Sequence, residues 1–565
     1  MRGRILCIFL LLLLSLCSVA AKLFSLQIQQ GDRLSERATR QYQRRLPLLS
    51  RRGTIYDRTG RELAVSLKVH SLFAQPAAIE NPARTAKTLA PILGQPPQEI
   101  VARLTTDKPF VWLQRQLEPA QAAAIGDLNL KGIGLFPESR RYYPRQESAA
   151  HVLGMVGLDD RGLEGLEHQY DDLLGGQPQS VVAQQDALGR LVFRQEEAGR
   201  PRPIFDLTLT IDEVLQYITE RELQRAVERS RAKAGTAIVM DPWSGEILAL
   251  ANQPTYDPNE YRKAGSAARR NRAATDALEP GSVFKVILLA GALEEGVVRP
   301  GDRFFGENGA IEVSGVTIRD HEKYGWLTVQ EILTHSSNVG AIKIGQKLGK
   351  SLYYHYISGF GFGSLTGLDL PGETPGLMRR PKGWSALSLS VLSLGQEISV
   401  TPVQITTAFA ALANGGNLIR PHVVRGLRAQ DGSLARRVGP VVIRRVISAE
   451  TAQTLLTMLK GVVEEGTGKE AAPEGYSVAG KTGTAQKMDP ATGRYSHQKV
   501  VASFVGAVPA EAPRLVILVL IDEPETLRWG AAIAAPTFRE IAREALKYLQ
   551  VPPAPAREVR LVRMS

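Results

Sequence analysis

The sequence predicts a mixed α/β (α+β) protein held by an N-terminal apolar segment. Three observations predict it. Residues 5–21 form an unbroken run of apolar and small residues. Stretches with the 3.6-residue apolar spacing of helices recur through the chain. From Phe205 onward these stretches alternate with short apolar runs that read as paired strands, the pattern of one large α/β domain. No repeat or low-complexity tract interrupts it.

At 565 residues the chain can hold two or more domains and at least one large core. The apolar share of 44% and charged share of 22% are those of an ordinary globular protein. A net charge of +12 fits either a solvated basic surface or attraction to lipid head groups or cell-wall polymer. With aromatics at only 6% and no recognition motif, nucleic acid is not an expected partner.

Arg2 and Arg4 precede the apolar run and Lys22 follows it. Its helix would span roughly 26 Å, slightly short of a bilayer's apolar layer. It extends through Leu23 and Phe24 if Lys22 snorkels. The positive flank predicts the N-terminus inside and the rest of the chain outside. A cleaved signal peptide is the competing reading, because Ser18-Val19-Ala20 and Val19-Ala20-Ala21 resemble cleavage sites. A lipoprotein reading through Cys17 is weaker, since Leu16 suits it poorly. Cys7 and Cys17 are the two cysteines and both lie here, so the exported part needs no disulfide.

Taken in order, residues 32–44 look helical. Residues 52–64 read as strand, turn and strand, with Gly60 supplying the turn. Residues 77–128 read mostly as helix, interrupted at Pro82, Pro91, Pro96 and Pro97. Another helical stretch begins near Gly162 and runs to Leu174. The polar segment 195–203, with Gly199, Pro201 and Pro203, reads as a domain junction. Residues 212–233 form a helix capped by Asp212, and 235–251 a hairpin turning at 241–245. Helices follow at 328–333, 339–348, 402–413 and 449–464. Residues 476–487 read as a strand, 500–508 and 514–521 as paired strands, and 535–549 as a closing helix. The residues after Val551 look like a loose tail.

Three motifs carry the chemistry: Ser282-Val283-Phe284-Lys285, Ser336-Ser337-Asn338 and Lys481-Thr482-Gly483. Each alone is weak; Ser230 and Lys233 form a second Ser-x-x-Lys inside a charged amphipathic helix. In this order the three specify a serine acyl-transfer site whose base is a lysine. Pro280-Gly281 reads as a turn entering a helix, which puts Ser282 at the positive helix end. Lys285 falls one turn on, on the same face. It serves as a base only when neutral, so burial and a second cation, Lys481, are expected to lower its pKa. Ser336 and Asn338 flank Ser337, so in an extended or loop backbone both point the same way. Ser336 would relay a proton to the leaving amine, and Asn338 would bond a substrate amide. His335 lacks an acidic companion at a suggestive spacing, and a lysine already supplies the base.

In the strand that follows, Gly483 lets a ligand backbone lie alongside as an added strand. Lys481 with Thr482 or Thr484 offers a cation and hydroxyls to a terminal carboxylate. The backbone N–H groups of Ser282 and Thr484 would form an oxyanion hole. The plain alternatives are a capping serine, an exposed helix lysine, a polar loop and an ordinary edge strand.

Along nearly its whole length the sequence resembles the class B penicillin-binding proteins. The resemblance rests on Arg52-Gly53-Thr54-Ile55-Tyr56-Asp57 with Gly60 and Leu63-Ala64, and on Arg141, Tyr143-Pro144, His151, Gly154, Gly162, Gly165 and Glu167. It rests further on Asn271-Arg272, Glu279-Pro280-Gly281-Ser282 with Lys285, Gly395-Gln396, Val400-Thr401-Pro402, Ala413-Asn414-Gly415-Gly416 and Gly480-Lys481-Thr482-Gly483-Thr484-Ala485. It implies a tip and membrane anchor over 1–24, an elongated non-catalytic pedestal of mixed α/β structure over 25–203, a β-lactamase-like transpeptidase domain with a helix-flanked antiparallel sheet over 204–550, and a tail over 551–565. It implies that Ser282 attacks the penultimate D-Ala of a stem peptide, and that β-lactams acylate the same serine. No metal or cofactor is implied. The Lys481-Thr482-Gly483 form and the lead-in at residues 271–276 look more like the division branch than the elongation branch. Division-type relatives work with an integral-membrane glycan polymerase and other division proteins. Trp529-Gly530-Ala531 departs from the aromatic-Gly-Gly expected there, and no wall-binding module follows Leu549. A carboxypeptidase or β-lactamase, with water replacing the amine, and a non-catalytic penicillin sensor or scaffold are the competing functions.

Overall fold

The computed structural model describes residues 2–34, 43–48, 52–175, 179–185, 191–195, 203–489 and 493–553. Most of the helix expected over 32–44, most of the 195–203 junction and the tail from 554 fall outside these residues. The chain divides into two units. One comprises Met1–Arg52, Ser66–Arg140 and Gly175–Pro203; the other comprises Gly53–Val65, Arg141–Leu174 and Ile204–Ser565.

In the first unit, the helix Arg2–Phe24 is long and apolar enough to cross a membrane. Farther on, the strand Glu62–Ala74 pairs antiparallel with Val111–Leu117, His70 opposite Leu117. The helices Pro82–Leu93, Pro97–Leu104 and Pro119–Asp127 surround a core that includes Leu72, Leu89, Ile100, Leu113 and Ile125. Pro82, Pro97 and Pro119 begin these helices rather than interrupting them, because N1 has no amide partner to lose, while Pro91 lies within the last turn of the first. The strand between them escapes a composition reading dominated by those prolines. Phe73, Phe110, Trp112 and Phe136 pack as a second small cluster.

The second unit is built on a five-stranded antiparallel sheet. Its order runs Ile247–Gln253, Ala234–Met240, Leu515–Asp522, Arg494–Val508 and Ala479–Asp489. Both faces are covered, and the strands' period of two decides which residue meets which core. Ala237, Val239, Phe504, Ile517 and Val519 pack with Leu223, Phe538 and Ile541 of the helices Glu213–Ser230 and Ala534–Tyr548. Their alternates Ile238, Met240, Val505, Val516 and Leu518 join the larger core around the helices Lys285–Glu294 and Pro402–Ala413. Each fully buried Leu or Phe contributes about 1.5–3 kcal/mol, so the sheet is the rigid element of the unit.

The helix ends follow their capping residues. The Asp212 carboxylate accepts from the Val214 and Leu215 amides at 3.0 and 3.3 Å. Thr328 with Glu331 and Thr401 with Gln404 form reciprocal capping boxes. Gly245 turns the first hairpin with φ of 76°. The segments 53–65 and 141–174 belong to the core of this unit: Ile55, Leu63, Leu153, Leu166 and Leu174 are all buried in its main cluster. Arg141 and Glu167, both almost wholly buried, pair at 2.6 Å, and Arg141 also donates to the Gly53 carbonyl at 2.8 Å.

Candidate active site

The segment that carries Ser282 is shaped by close backbone approaches. Gly281 has φ of 55° and its N–H donates to the Gly395 carbonyl at 3.1 Å. A side chain at Gly281 would meet Ala485 and the Thr484 carbonyl, so only glycine lets this turn lie against the lysine-bearing strand. Gly483 faces the other side of the same junction, where a Cβ would meet Val283, Ser503 and the Pro280 carbonyl. These contacts bring half-buried Ser282, between Pro280 and Val283, against residues 483–485. Residues Gly281–Phe284 form a 3₁₀ turn, and the α-helix starts only at Lys285. The serine therefore sits just ahead of the α-helix.

That helix, Lys285–Glu294, is apolar on all sides and buried through Ala292. It carries Lys285 into the core, leaving the side chain 1% exposed. The Lys285 Nζ donates to the Ser336 carbonyl at 2.6 Å, to Asn338 Oδ1 at 2.8 Å and to Ser336 Oγ at 3.3 Å. Among the described residues the Ser282 hydroxyl has no hydrogen bond; such contacts are often long in the free enzyme and tighten on substrate. Burial pushes the Lys285 amine down to about 7, with the Asp320 carboxylate opposing.

Lys481 is fully buried on the edge strand of the sheet, and its Nζ donates to the Thr482 carbonyl at 3.2 Å. Burial, and then the charge of Lys285, push it well below the usual lysine range. Burial lowers Lys285 as the sequence predicts, and the repulsion between the two buried amines disfavours charging both at once.

Ser336 and Asn338 reach the same amine by a route other than an extended backbone. Ser336 takes the left-handed conformation, φ 59°, a strain of about 1–3 kcal/mol. Ser337 then caps the helix Asn338–Leu348 through the Gly340 amide. Asp320 organises this corner and gives no sequence signal. It accepts from Ser337 Oγ at 2.7 Å, the Val339 amide at 3.1 Å and the Asn338 amide. It follows a hairpin, sixteen residues before Ser336, where no periodicity or spacing marks it.

On the strand, Thr482 Oγ1 shares a hydrogen bond with Thr467 Oγ1 at 2.7 Å, and Thr484 Oγ1 accepts from the Gly530 amide at 3.2 Å. Gly530 packs directly on Gly483 and Ser503, so the Trp529-Gly530 turn lies on the lysine strand. Exposed Trp529 meets His321 edge-on, ring centres 5.2 Å apart. The second Ser-x-x-Lys pair is occupied elsewhere: Ser230 Oγ donates to the Ala226 carbonyl and Lys233 pairs with Glu523. His335 stacks on Tyr324 at 5.5 Å. Among the described residues no His, Cys, Asp and Glu group could hold a metal ion.

A hydroxyl ahead of a buried helix, a lysine one turn on whose charge burial disfavours, and a strand at the sheet edge suit acyl transfer from a peptide. Comparison with known proteins gives the same class. Residues 235–543 match the penicillin binding protein transpeptidase domain, and residues 47–209 match the penicillin-binding protein dimerisation domain. The stage V sporulation protein D of Bacillus subtilis is 35% identical over 98% of this chain and 86% of its own. The peptidoglycan D,D-transpeptidase FtsI of Escherichia coli is 34% identical over 96% of this chain and 91% of its own. The crystal structure of penicillin binding protein 3 of Mycobacterium tuberculosis complexed with aztreonam superposes with a TM-score of 0.72 at 29% identity, covering 90% of this chain and 98% of that one. The chain belongs to the class B penicillin-binding proteins, enzymes of the peptidoglycan D,D-transpeptidase type. Peptidoglycan and β-lactams are the ligands that the family implies.

Proposed function

We propose that this enzyme crosslinks stem peptides during septal wall synthesis. Ser282 Oγ attacks the carbonyl carbon of the penultimate D-Ala while Lys285 takes its proton. The C–N bond to the terminal D-Ala breaks, and Ser336 passes a proton from Lys285 to the departing amine. An amine of a second stem then attacks the ester, the crosslink forms, and the serine is regenerated. The amides of Ser282 and Thr484 hold the oxyanion, and Asn338 bonds the donor amide. Lys481, Thr482 and Thr484 receive the terminal carboxylate, with Gly483 leaving room for the peptide to add beside the strand. An arriving carboxylate favours the charged form of Lys481 and so takes up a proton.

The observation that carries this reading is the buried Lys285 amine held by Ser336 and Asn338 on the helix that Ser282 precedes. Residues 1–24 serve as a tip and anchor in the cytoplasmic membrane, N-terminus inside. Residues 25–203, apart from the segments 53–65 and 141–174 that are built into the catalytic unit, act as the pedestal, 204–550 as the transpeptidase domain outside and 551–565 as a tail. The division role draws on the 271–276 lead-in and on relatives named FtsI and stage V sporulation protein D. An integral-membrane glycan polymerase and other division proteins are the partners. The site is tested with a fluorescent penicillin on full-length protein in detergent: wild type labels covalently and Ser282→Ala does not, and equal labelling would overturn it. The septal role is tested by depletion, which should give filaments with intact side walls; rounded cells would assign the enzyme to elongation.

A further inference from the structure

A short turn, Gly466-Thr467-Gly468, follows the helix Ala449–Glu464 and lies beside the lysine strand. Its two glycines are set by close approach. A side chain at Gly466 would meet the carbonyl and methyl of Thr334, and one at Gly468 would meet Val462, Val463 and Phe504. The turn is thus pressed between the end of the helix Val329–Thr334 and the sheet strand Arg494–Val508. That placement ties half-buried Thr467 to both lysine-bearing and serine-bearing parts of the site. Its N–H donates to the Thr334 carbonyl at 3.4 Å, two residues before Ser336. Its hydroxyl shares a 2.7 Å hydrogen bond with the hydroxyl of Thr482, the residue after Lys481.

A hydrogen bond between two hydroxyls can run either way, and either oxygen of this pair can be the donor. Each threonine hydroxyl has one proton and two acceptor lone pairs. Among the described residues the Thr482 hydroxyl has two partners, Thr467 Oγ1 and the Lys481 Nζ that reaches it at 3.4 Å. The Lys481 Nζ lies closer to the Thr482 carbonyl, at 3.2 Å. Thr467 Oγ1 has no side-chain or backbone partner other than Thr482 among the described residues, so nothing else competes for its proton.

The ligand decides the direction, and this inference rests on the reading that Thr482 receives the donor's terminal carboxylate. An ionised carboxylate only accepts, so Thr482 has to turn its one proton toward it. The Thr482 oxygen is then left as an acceptor, and Thr467 can fill it. Hydrogen bonds aligned head to tail in this way strengthen one another. In the opposite direction Thr482 would use its proton on Thr467 and present a bare oxygen to the carboxylate. We propose that Thr467 is a positioning residue for the carboxylate end of the donor: by donating to Thr482 Oγ1 it aims the Thr482 proton at the ligand. It touches no reacting atom and acts through Thr482. Its backbone bond to Thr334 holds that aim in register with the corner that carries Ser336.

The test compares benzylpenicillin with its methyl ester, which keeps the reacting ring and removes the carboxylate charge. Second-order acylation rates are measured on full-length protein in detergent, by competition with a fluorescent penicillin. Wild type should prefer the acid. In Thr467→Val, which keeps the shape of the side chain without its hydroxyl, that preference should fall about fivefold, the equivalent of one neutral hydrogen bond. Thr467→Ser keeps the hydroxyl and should keep the wild-type preference. In a Thr482→Val background, Thr467→Val should change the ratio no further, because the hydroxyl through which it acts is gone. Each protein is read as a ratio of two ligands, so a smaller folded fraction does not mimic the result. An unchanged ratio in Thr467→Val, a serine variant that behaves like the valine variant, or effects that add in the double variant would overturn the proposal and leave the carboxylate reading standing. Equal rates for acid and ester in wild type would take the carboxylate away from the strand and overturn both. If neither ligand acylates wild type, the transpeptidase assignment fails and the proposal with it.

Discussion

Replacing Lys285 with methionine should abolish acylation and make the protein more stable near neutral pH. The magnitude follows from burial. A lysine whose pKa falls from 10.5 to about 7 carries about 5 kcal/mol of disfavoured charging, at about 1.4 kcal/mol per pH unit. Methionine fills the channel without that cost but strands the Ser336 carbonyl and Asn338 Oδ1, which lose their donor. At about 1–3 kcal/mol for each such loss, about 4 kcal/mol for the two, the net gain at pH 7 is about 1 kcal/mol. The sign with pH is fixed by linkage. Between 7 and 10.5 the unfolded chain keeps the Lys285 proton and the folded chain has released it. Wild-type stability therefore rises with pH across that window. The variant lacks this rise, so from pH 7 to 9 wild type should gain about 2 kcal/mol on it. Relief of the repulsion on Lys481 in the variant acts in the same direction. Denaturant unfolding of both proteins at pH 7 and 9 measures the difference. Parallel pH dependence would refute a buried, largely neutral Lys285. The same amine should give wild-type acylation a rising limb near pH 7, falling about tenfold per unit below it.

Two further outcomes test the surroundings of the site. In Asp320→Asn the charge that favours protonated Lys285 is gone, so the acylation limb should move to lower pH. With the Ser337 to Val339 corner loosened, the plateau should fall by about tenfold, the equivalent of one hydrogen bond to a charged group; a profile that superposes on wild type would clear Asp320 of any role. In Glu167→Ala the guanidinium of Arg141 is left inside the core, which should cost about 3–5 kcal/mol, measured by the unfolding midpoint. A change below about 1 kcal/mol would mean that water or another acceptor replaces the carboxylate.

Much of the catalytic unit is legible because its signals are local. Asp212, Thr328 and Thr401 announce helix starts by side chains that can only satisfy nearby amides. Gly245 and the apolar runs around it announce a hairpin. The first unit's strand Val111–Leu117 is not legible, since its pairing partner lies some forty residues earlier and the prolines around it read as breaks. At the site, the three motifs mark the residues but not their geometry. Ser336 converges with Asn338 through a left-handed residue and a helix cap, and Asp320 enters through contacts made across a hairpin. Glu279 behaves the same way. It lies inside a recognisable motif, yet its meeting with Glu397 across 118 residues is a product of tertiary packing.

The interleaving of the two units constrains how this protein can be made. Ile55, Leu63, Leu153 and Leu166 emerge from the ribosome long before the helices and sheet of their shared core, whose last strand is Leu515–Asp522. Those early pieces must stay unpaired, or guarded, until synthesis is nearly complete. A truncated gene beginning at residue 204 would yield a catalytic body missing part of its own interior, with apolar surface bare where those segments belong. Expression trials should therefore cut just behind the anchor and keep everything that follows.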